Sequence, residues 1–383
     1  MKKILLFTFI CVLFISCQDD SENINPISQH NNLEKVIGKV TSPTGITIPS
    51  TYVYYDDNGT VYNTLTNQLG EFEISVPTGQ GVLTIQTGNG RLFRSTKNIT
   101  VTQGQTLDLR NENFVLNSNS SLAFVAGTYD EIQTIITNLG YQTIELSLDD
   151  ITNNNLDNIN ALFLNCSNDS APITADSFYD NLNDFVINGN SLYTSDWGLK
   201  YLVGDSGYAQ DCTTERVGGF IADELVCGIR SGAMETLTNN TILNNDLSSF
   251  TGTNTIDLEY DLPDWMQLNY IDANYWDVLV EDADSNPLMI KTNTVSTTND
   301  DSIWYSDNGN KVTICHIPPG NPENSHSITI SVNALDAHLA HGDTIGDCNG
   351  SSGNVYYTTF HNHVGETTNP IIEKIMEYVI LNL

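Results

Sequence analysis

Positive charge is scarce in this sequence, which has 14 lysine and arginine residues against 47 aspartate and glutamate residues and a formal net charge of −33. A surface this acidic repels phosphate backbones, so a nucleic-acid partner is excluded. Hydrophobic residues still make up 39% of the chain, which is more than disordered chains carry, so the sequence predicts folded domains. Its 383 residues are enough for two or three of them.

A membrane-spanning run is also missing, because the apolar stretch from Ile4 to Ile15 is shorter than the about 20 residues that cross a bilayer. Two lysines precede this stretch and a serine–cysteine pair follows it, which is the pattern of a secretory signal peptide. The pair resembles the lipobox of bacterial lipoproteins, in which the cysteine is acylated. We therefore expect a lipoprotein signal peptide over residues 1–16, lipid on Cys17, and a polar tether over residues 17–32.

The residues after Cys17, Gln18-Asp19-Asp20, resemble the acidic export signal of Bacteroidetes lipoproteins. The resemblance implies an outer-membrane protein that is anchored by lipid and exposed on the cell surface, with a periplasm-facing protein as the alternative. Its partners would be the membrane, through the lipid, and a glycan or a surface protein.

Cysteines matter outside the cytoplasm because disulfides persist there. Of the seven cysteines, one leaves with the signal peptide and Cys17 is used for lipid. The natural local pairings among the others are Cys212–Cys227 and Cys315–Cys348, which leaves Cys166 as a free thiol. Sequence alone does not fix this connectivity.

Residues 33–117 have the pattern of short, regularly spaced β-strands. Thr51 to Tyr55 alternates and leads into Asp57-Asn58-Gly59, which predicts a hairpin. The spacing is typical of an antiparallel β-sandwich. The stretch TNQLGEFEISVPTG resembles the carboxypeptidase regulatory-like domain, whose members have a transthyretin-like sandwich and usually no active site. The resemblance implies a domain that spaces, stabilises or makes contacts.

Residues 118–383 show strands that alternate with amphipathic helices. Leu122 to Ala126 predicts a buried strand, and the next helix has four apolar residues on one face: Ile132, Ile135, Ile136 and Leu139. This alternation predicts a parallel sheet covered on both faces, in a doubly wound, flavodoxin-like α/β domain.

Ligands of such sheets bind at the carboxyl ends of the strands. The strings SLYTSDWG and VYYTTFHNH at two predicted strand ends resemble the class I glutamine amidotransferase-like fold, nearest its trehalose-utilisation-like branch. An amidotransferase needs a cysteine nucleophile on the strained turn after a strand. By chain order that turn is Ser195-Asp196-Trp197, which has no cysteine. The domain is therefore expected to be non-catalytic or weakly catalytic, with Asp196 and His361 as the candidate catalytic residues.

These strand ends still predict a ligand site. An aromatic plate beside carboxylate and imidazole groups suits a glycan or another envelope ligand, and the predicted set is Asp196, Trp197, His361, His363 and Glu366. The alternative is that Trp197 packs, Asp196 caps the following helix and the histidines bond to loop carbonyls. No nucleotide cofactor is expected.

Residues 311–349 are rich in cysteine and histidine and lie between glycine- and asparagine-rich flanks, so we interpret them as an inserted module. In one interpretation a zinc or copper ion is bound by four histidines, with Asp336 and Asp343 as outer partners and Cys315–Cys348 as a disulfide. The four are His316, His326, His338 and His341. In the other, the disulfide and a hydrogen-bonded histidine network stabilise a module too small for its own core.

The leading hypothesis is thus a surface lipoprotein that binds a glycan or envelope ligand through its α/β domain. The alternatives are a metal-assisted hydrolase acting on carbohydrate or amide bonds and a protein that captures metal. A shared site for the insert and the strand ends favours the hydrolase, and separate sites favour binding.

We expect the mature chain to begin at an acylated Cys17, because the lipobox-like pair places the cleavage site there. Mass spectrometry of membrane-extracted protein should detect this modified residue, and Cys17→Ala should move the protein to the soluble fraction. Recovery of an unacylated wild-type chain would contradict the prediction.

Overall fold

The computed structural model describes much of the chain from residue 33 onward. The described residues are 33–57, 60–88, 90–112, 114–167, 173, 175–204, 219–222, 224–292, 311–317, 326–340, 343–345, 353–360 and 369–383. Their strands form five sheets, so the expected β-rich chain with several sheets is confirmed. Among the helices in these ranges, none is both long and apolar enough to cross a bilayer.

The first part of the chain, residues 33–115, is called the N-terminal unit. Its eight strands are β1 (Leu33–Thr41), β2 (Tyr52–Asp57), β3 (Thr60–Leu65), β4 (Glu71–Pro77), β5 (Gly79–Gln86), β6 (Arg94–Val101), β7 (Leu107–Asp108) and β8 (Phe114–Val115). One sheet has the order β4-β1-β7, with β8 also pairing with β1, and the other has the order β3-β2-β5-β6. Apolar side chains from both sheets, such as Val36, Ile74 and Leu83, share one core.

The sequence pattern predicted a wholly antiparallel sandwich, but the strand pairing in this unit is mixed. β7 and β8 both lie parallel to β1, with Val36 opposite Leu107 and Val40 opposite Phe114. Alternation of buried and exposed residues is the same in parallel and antiparallel strands, so it does not reveal strand direction. The predicted hairpin is present, since Asp57 pairs with Thr60.

Strands and helices then alternate as expected. The elements are β9 (Ser121–Val125), α1 (Ile132–Leu139), β10 (Thr143–Leu146), α2 (Leu148–Thr152), β11 (Ile159–Leu164), α3 (Asp176–Ile187), β12 (Ser191–Ser195), a 3₁₀ turn (Asp196–Leu199) and α4 (Lys200–Val203). The four apolar residues predicted to share a face of α1 are all buried. Gly140 ends this helix with a φ of 91°, a conformation that glycine adopts without steric cost.

The middle of the chain adds antiparallel strands. They are β13 (Val226–Arg230), β14 (Glu235–Ile242), β15 (Thr255–Tyr260), β16 (Met266–Ile271), β17 (Trp276–Glu281) and β18 (Pro287–Thr292), with α5 (Asn245–Thr251) between β14 and β15. β13 pairs only with β16 among the described strands.

The insert forms a small sheet of its own in the order β20-β19-β21. Its elements are β19 (Lys311–His316), β20 (His326–Ser331), a 3₁₀ turn (Val332–Ala334), α6 (Leu335–Ala340) and β21 (Thr344–Ile345). Three buried side chains form its described core: Val312, Ile314 and Leu335. After the insert, β22 (Val355–Thr358) and α7 (Pro370–Asn382) complete the described chain.

The large sheet has nine strands in the order β10-β9-β11-β12-β22-β18-β17-β14-β15. The first five are mutually parallel, whereas β18 lies antiparallel to β22 and the remaining pairs are antiparallel. The expected parallel sheet is therefore present as half of a mixed sheet. Because β18 and β22 run in opposite directions, the end of β18 and the start of β22 lie at the same edge, where the Val355 amide donates to Thr292 Oγ1 at 2.9 Å.

The N-terminal unit packs at this same edge, where the parallel strands begin. The Arg91 guanidinium donates to the Gly189 carbonyl just before β12, and the Gly88 amide donates to Asn382 Oδ1 at 3.0 Å. Phe93 packs on Tyr141 with ring centroids 4.8 Å apart. One continuous apolar core thus joins the N-terminal unit to one face of the large sheet.

Candidate functional site

The chain turns sharply where β12 ends. Asp196 has a φ of 44°, a left-handed conformation that is unfavourable for a non-glycine residue unless its surroundings enforce it. Gly198 is needed two residues later, because a Cβ at this position would lie 2.0 Å from Thr194 Oγ1. The strained strand-to-helix turn thus lies where chain order predicted it, and an aspartate occupies its apex.

Asp196 joins three elements at the turn. Its Oδ1 accepts a hydrogen bond from the Met266 amide of β16 at 2.7 Å, and its carbonyl accepts one from the Tyr357 hydroxyl of β22 at 2.9 Å. Its Oδ2 lies 3.9 Å from Cys166 Sγ. Asp196 lies inside the 3₁₀ turn, whose N-cap is Ser195, so it does not cap the turn as the alternative interpretation had it.

A second buried carboxylate, Asp130, was missed by the sequence analysis. The pattern Thr128-Tyr129-Asp130-Glu131 resembles a helix cap, but α1 begins at Ile132 with Glu131 as its N-cap and no side-chain cap bond. Asp130 Oδ2 instead accepts a hydrogen bond from Ser195 Oγ at 2.7 Å, and both residues are fully buried. The available signal was position, since Asp130 lies five residues after the end of β9 and Asp196 directly follows β12, at the same edge of the sheet.

These strand ends border a cavity of about 230 Å³, called the cleft. It lies at the edge where the parallel strands end, opposite the N-terminal unit. Its described lining residues include four carboxylates, from Asp196, Glu259, Asp261 and Asp264, and no lysine or arginine. The other lining residues are Tyr129, Trp197, Tyr260, Leu262, Pro263, Trp265, Thr359, Phe360 and Ile372.

The aromatic walls of the cleft are held by specific contacts. The Arg230 guanidinium lies 3.7 Å from the centre of the Trp197 ring, and the Trp197 Nε1–H donates to the Asp264 carbonyl at 2.8 Å. Tyr260 and Trp265 stack with centroids 3.9 Å apart. One face of Trp197 is thus covered by Arg230, so Trp197 is a wall of the cleft and not the fully open plate that the sequence suggested.

The predicted ligand residues divide into two groups. Asp196 and Trp197 both line the cleft. His361, His363 and Glu366 lie outside the described residues, so their role stays a prediction. Phe360, the residue before His361 in the sequence, lines the cleft.

In the insert, two of the predicted metal ligands lie within hydrogen-bonding distance of one carboxylate. Asp343 Oδ2 lies 2.8 Å from His316 Nδ1 and 2.7 Å from His338 Nδ1, and Asp343 Oδ1 accepts the Ile317 amide at 2.8 Å. These three residues, His316, His338 and Asp343, are called the His–Asp cluster. Their donor atoms lie within 4.8 Å of one another, so the cluster could hold a metal ion.

Local structure explains why the cluster forms. His316 ends β19 and His338 lies near the end of α6, and β21 returns directly after Asp343 to pair with β19. The Asp343 carboxylate is completely buried, whereas the two imidazoles are about one-fifth exposed. The sequence analysis placed Asp343 outside the ligand set, but the geometry places it at the centre. The side chain of His326, and the whole of His341, lie outside the described residues.

The disulfide-bonded cysteines of the described chain provide no thiolate ligand to the His–Asp cluster. Cys227 and Cys315 are both disulfide-bonded. The cysteines expected to pair with them, Cys212 and Cys348, lie outside the described residues, as does Cys17, so these pairings and the lipidation stay predictions. Cys166 is a free, buried thiol, as expected from the predicted pairing of the other cysteines.

The chain segments that carry the cleft and the His–Asp cluster leave the large sheet at opposite edges. The insert leaves after β18 and returns before β22, at the edge where the parallel strands begin. The cleft lies where those strands end. β12 has five residues, so at about 3.3 Å per residue the sheet alone separates the two edges by about 16 Å.

Cys166 should resist alkylation in the folded protein. Burial raises the pKa of its thiol well above the usual value, and the negative charges of Asp196 and Asp130 raise it further, so the reactive thiolate is scarce at neutral pH. Iodoacetamide at about pH 8 should modify Cys166 only after unfolding, as peptide mass spectrometry will show, with Cys166→Ser as the site control. Rapid modification of the native chain would contradict this assignment.

No family model matches the chain, and no curated protein matches it. Among solved structures, the Bacillus anthracis TIE protein shares 15% identity over 25% of this chain and 19% of that chain, with a TM-score of 0.18. The match thus spans about a fifth of that protein, and a superposition this poor carries no argument about fold or function.

Proposed function

We propose that the protein is a lipid-anchored cell-surface protein of the outer membrane that binds a glycan or a related envelope ligand in the cleft. The observation that carries the proposal is the composition of the cleft, in which carboxylates and aromatic side chains meet at the ends of parallel strands. Sites of this fold type lie at such strand ends. The expected lipid on Cys17 would hold the cleft at the membrane surface.

The chemistry of the lining defines the ligand. Asp196, Glu259, Asp261 and Asp264 disfavour anions and can accept hydrogen bonds from hydroxyl or amino groups. Leu262 is 47% exposed at the cleft and offers an apolar contact for the C–H face of a sugar ring. A neutral or amino-substituted oligosaccharide has this combination of groups.

Binding is favoured over catalysis by the contacts at the turn. In the proposed amidotransferase-like fold, Asp196 would take the place of the nucleophile, and its Oδ1 is engaged by the Met266 amide. The thiol nearest to it, Cys166, is buried with a raised pKa. The insert that carries the His–Asp cluster leaves the sheet at the other edge, which argues against the metal-assisted hydrolase.

We also propose a fold family for each of the two parts of the chain. Numbered by chain position, the five parallel strands β10, β9, β11, β12 and β22 have the order 2-1-3-4-5, which is the flavodoxin-like order and supports an amidotransferase-like domain over residues 118–383. The paired sheets of the N-terminal unit support a carboxypeptidase regulatory-like, transthyretin-like domain over residues 33–117. That domain would act as a spacer.

Glycan binding should depend on the exposed apolar rim of the cleft. Leu262→Ala should weaken binding about tenfold, because it removes apolar contact worth about 1.4 kcal/mol. The strongest neutral or amino-substituted oligosaccharide from a glycan array would be the probe, measured by isothermal titration calorimetry. Leu243→Ala is the matched control, because Leu243 is similarly exposed at 45% and lies outside the cleft lining.

Two results would count against the cleft proposal. One is an array on which no neutral or amino-substituted oligosaccharide binds, or on which sulfated and phosphorylated oligosaccharides bind best. The other is equal affinity for the Leu262→Ala and Leu243→Ala variants.

A second proposed property is binding of zinc or copper by the His–Asp cluster. Imidazole nitrogens suit both metals, and two histidines with one carboxylate form a three-residue ligand set known from zinc sites. The converging atoms are His316 Nδ1, His338 Nδ1 and Asp343 Oδ2. With bonds of about 2.0–2.1 Å, tetrahedral ligand atoms lie about 3.3 Å apart, so the present hydrogen bonds would open by about half an ångström. His326 or His341 would complete the predicted set.

Loss of one imidazole should weaken zinc binding strongly. We expect His316→Gln and His338→Gln each to reduce the zinc affinity of the full chain by about 10- to 100-fold, measured by competition with a chromophoric chelator. Asn333→Ala, an exposed change in the same insert, should leave the affinity unchanged. Wild-type affinity in both histidine variants would contradict the ligand assignment.

A further inference from the structure

The cleft is too small for a whole oligosaccharide. Its volume is about 230 Å³, whereas pockets that bury a drug-sized molecule measure about 300–1,000 Å³. A chain of several sugar rings is at least as large as such a molecule, so part of the ligand proposed above must lie outside the cleft. The surface beside the opening determines where that part can bind.

Two loops lie on one side of the opening. Residues 231–234 connect β13 to β14, and residues 261–265 connect β15 to β16. Together they are called the rim loops. All five residues of the second loop line the cleft, whereas the four residues of the first loop do not. The first loop therefore belongs to the surface outside the cleft.

Hydrogen bonds join the two rim loops side by side. The Asp264 amide donates to the Gly232 carbonyl at 2.7 Å, and the Gly232 amide donates to the Trp265 carbonyl at 3.1 Å. The Trp265 Nε1–H donates to the Ala233 carbonyl at 2.8 Å. Gly232 also lies directly against the Trp265 ring, because a Cβ at Gly232 would be only 2.2 Å from ring atoms. The two loops therefore form one continuous surface.

Contacts from inside the cleft also hold the rim loops in place. The Trp197 Nε1–H donates to the Asp264 carbonyl, and Tyr260 stacks on the Trp265 ring. A surface that already has its binding conformation loses little conformational entropy when a ligand binds. The rim loops are therefore pre-organised for contact with a ligand.

Each rim loop exposes a large apolar side chain. Met234 is 64% exposed and Leu262 is 47% exposed. Glu235 pairs with Tyr260 where β14 begins and β15 ends, so Met234 lies one residue beyond this pair, next to the start of the loop that carries Leu262. Single exposed apolar residues are common on protein surfaces, but these two lie on joined loops beside a cleft. The flexible methionine side chain adapts well to the shape of a ligand.

We propose that the rim loops form a second subsite for the same ligand, in which Met234 contacts a sugar ring that lies outside the cleft. This inference rests on the proposed glycan-binding function. The C–H face of the outer ring would lie on the Met234 side chain, as the C–H face of the first ring lies on Leu262. The protein thus selects its ligand by length and binds an oligosaccharide in preference to a single sugar.

Ligand length tests the second subsite. The probes are the array oligosaccharide and the shortest of its fragments that still binds. Met234→Ala should weaken binding of the oligosaccharide about fivefold, because it removes apolar contact area, and should leave the affinity of the fragment unchanged. Met234→Leu keeps the apolar area and should bind the oligosaccharide like the wild type. Leu262→Ala should weaken binding of both probes, because Leu262 lines the cleft, and Leu243→Ala is again the surface control.

A second measurement follows the Met234 methyl group directly. The wild-type protein would be labelled with carbon-13 at its methionine methyl groups, and the Met234 signal would be assigned by its loss in Met234→Leu. This signal should shift when the oligosaccharide saturates the protein and should stay in place when the shortest fragment does.

Four results would overturn the second subsite. They are wild-type affinity of Met234→Ala for the oligosaccharide, equal weakening of both probes by this variant, an unshifted Met234 signal at saturation, and an array on which a single sugar binds as tightly as any oligosaccharide. If Leu262→Ala still weakens binding in these cases, the cleft proposal stands. An array without any neutral or amino-substituted ligand would overturn both proposals.

Discussion

Antiparallel hydrogen bonding between β18 and β22 determines where each candidate site lies. The pairing of Ile290 with Tyr357 and of Lys291 with Tyr356 brings the end of one strand beside the start of the other. The insert between them must therefore leave from the edge where the parallel strands begin. The loops that form the cleft leave from the other edge. This backbone constraint places the attachment points of the insert and of the cleft loops at opposite edges of the sheet.

The constraint also gives the N-terminal unit its role. The unit packs at the edge from which the insert leaves, through contacts such as those of Arg91 with Gly189 and Phe93 with Tyr141. It leaves the cleft open, because the cleft lies at the other edge. In the expected orientation, with lipid on Cys17, the unit and the insert would face the membrane and the cleft would face outward. The net negative charge of the chain suits a cleft that rejects anions.

The sequence predicted those features that depend on local pattern. Period-two alternation located the strands of the N-terminal unit, and the apolar face of Ile132, Ile135, Ile136 and Leu139 located α1. Chain order located the strained turn at Asp196, because this residue directly follows a strand that the sequence pattern predicted. The small insert was recognisable because its histidines and cysteines are concentrated in one short segment.

Features that depend on pairing between distant segments could not be predicted from the sequence. Asp130 lies in a sequence pattern that resembles a helix cap, although its partner is Ser195, 65 residues away. Asp343 was placed outside the metal ligands, because only the pairing of β21 with β19 brings its carboxylate between the two imidazoles.

The separation of the two sites is the central claim, and spin-label distances test it most directly. Nitroxides would be attached at Leu339→Cys in the insert and, in turn, at Leu262→Cys on the cleft or Val82→Cys on the N-terminal unit, all exposed positions. Double electron–electron resonance should give a longer distance from position 339 to position 262 than to position 82, by about 10 Å or more. A shorter distance to position 262 than to position 82 would place the insert at the cleft and contradict the account.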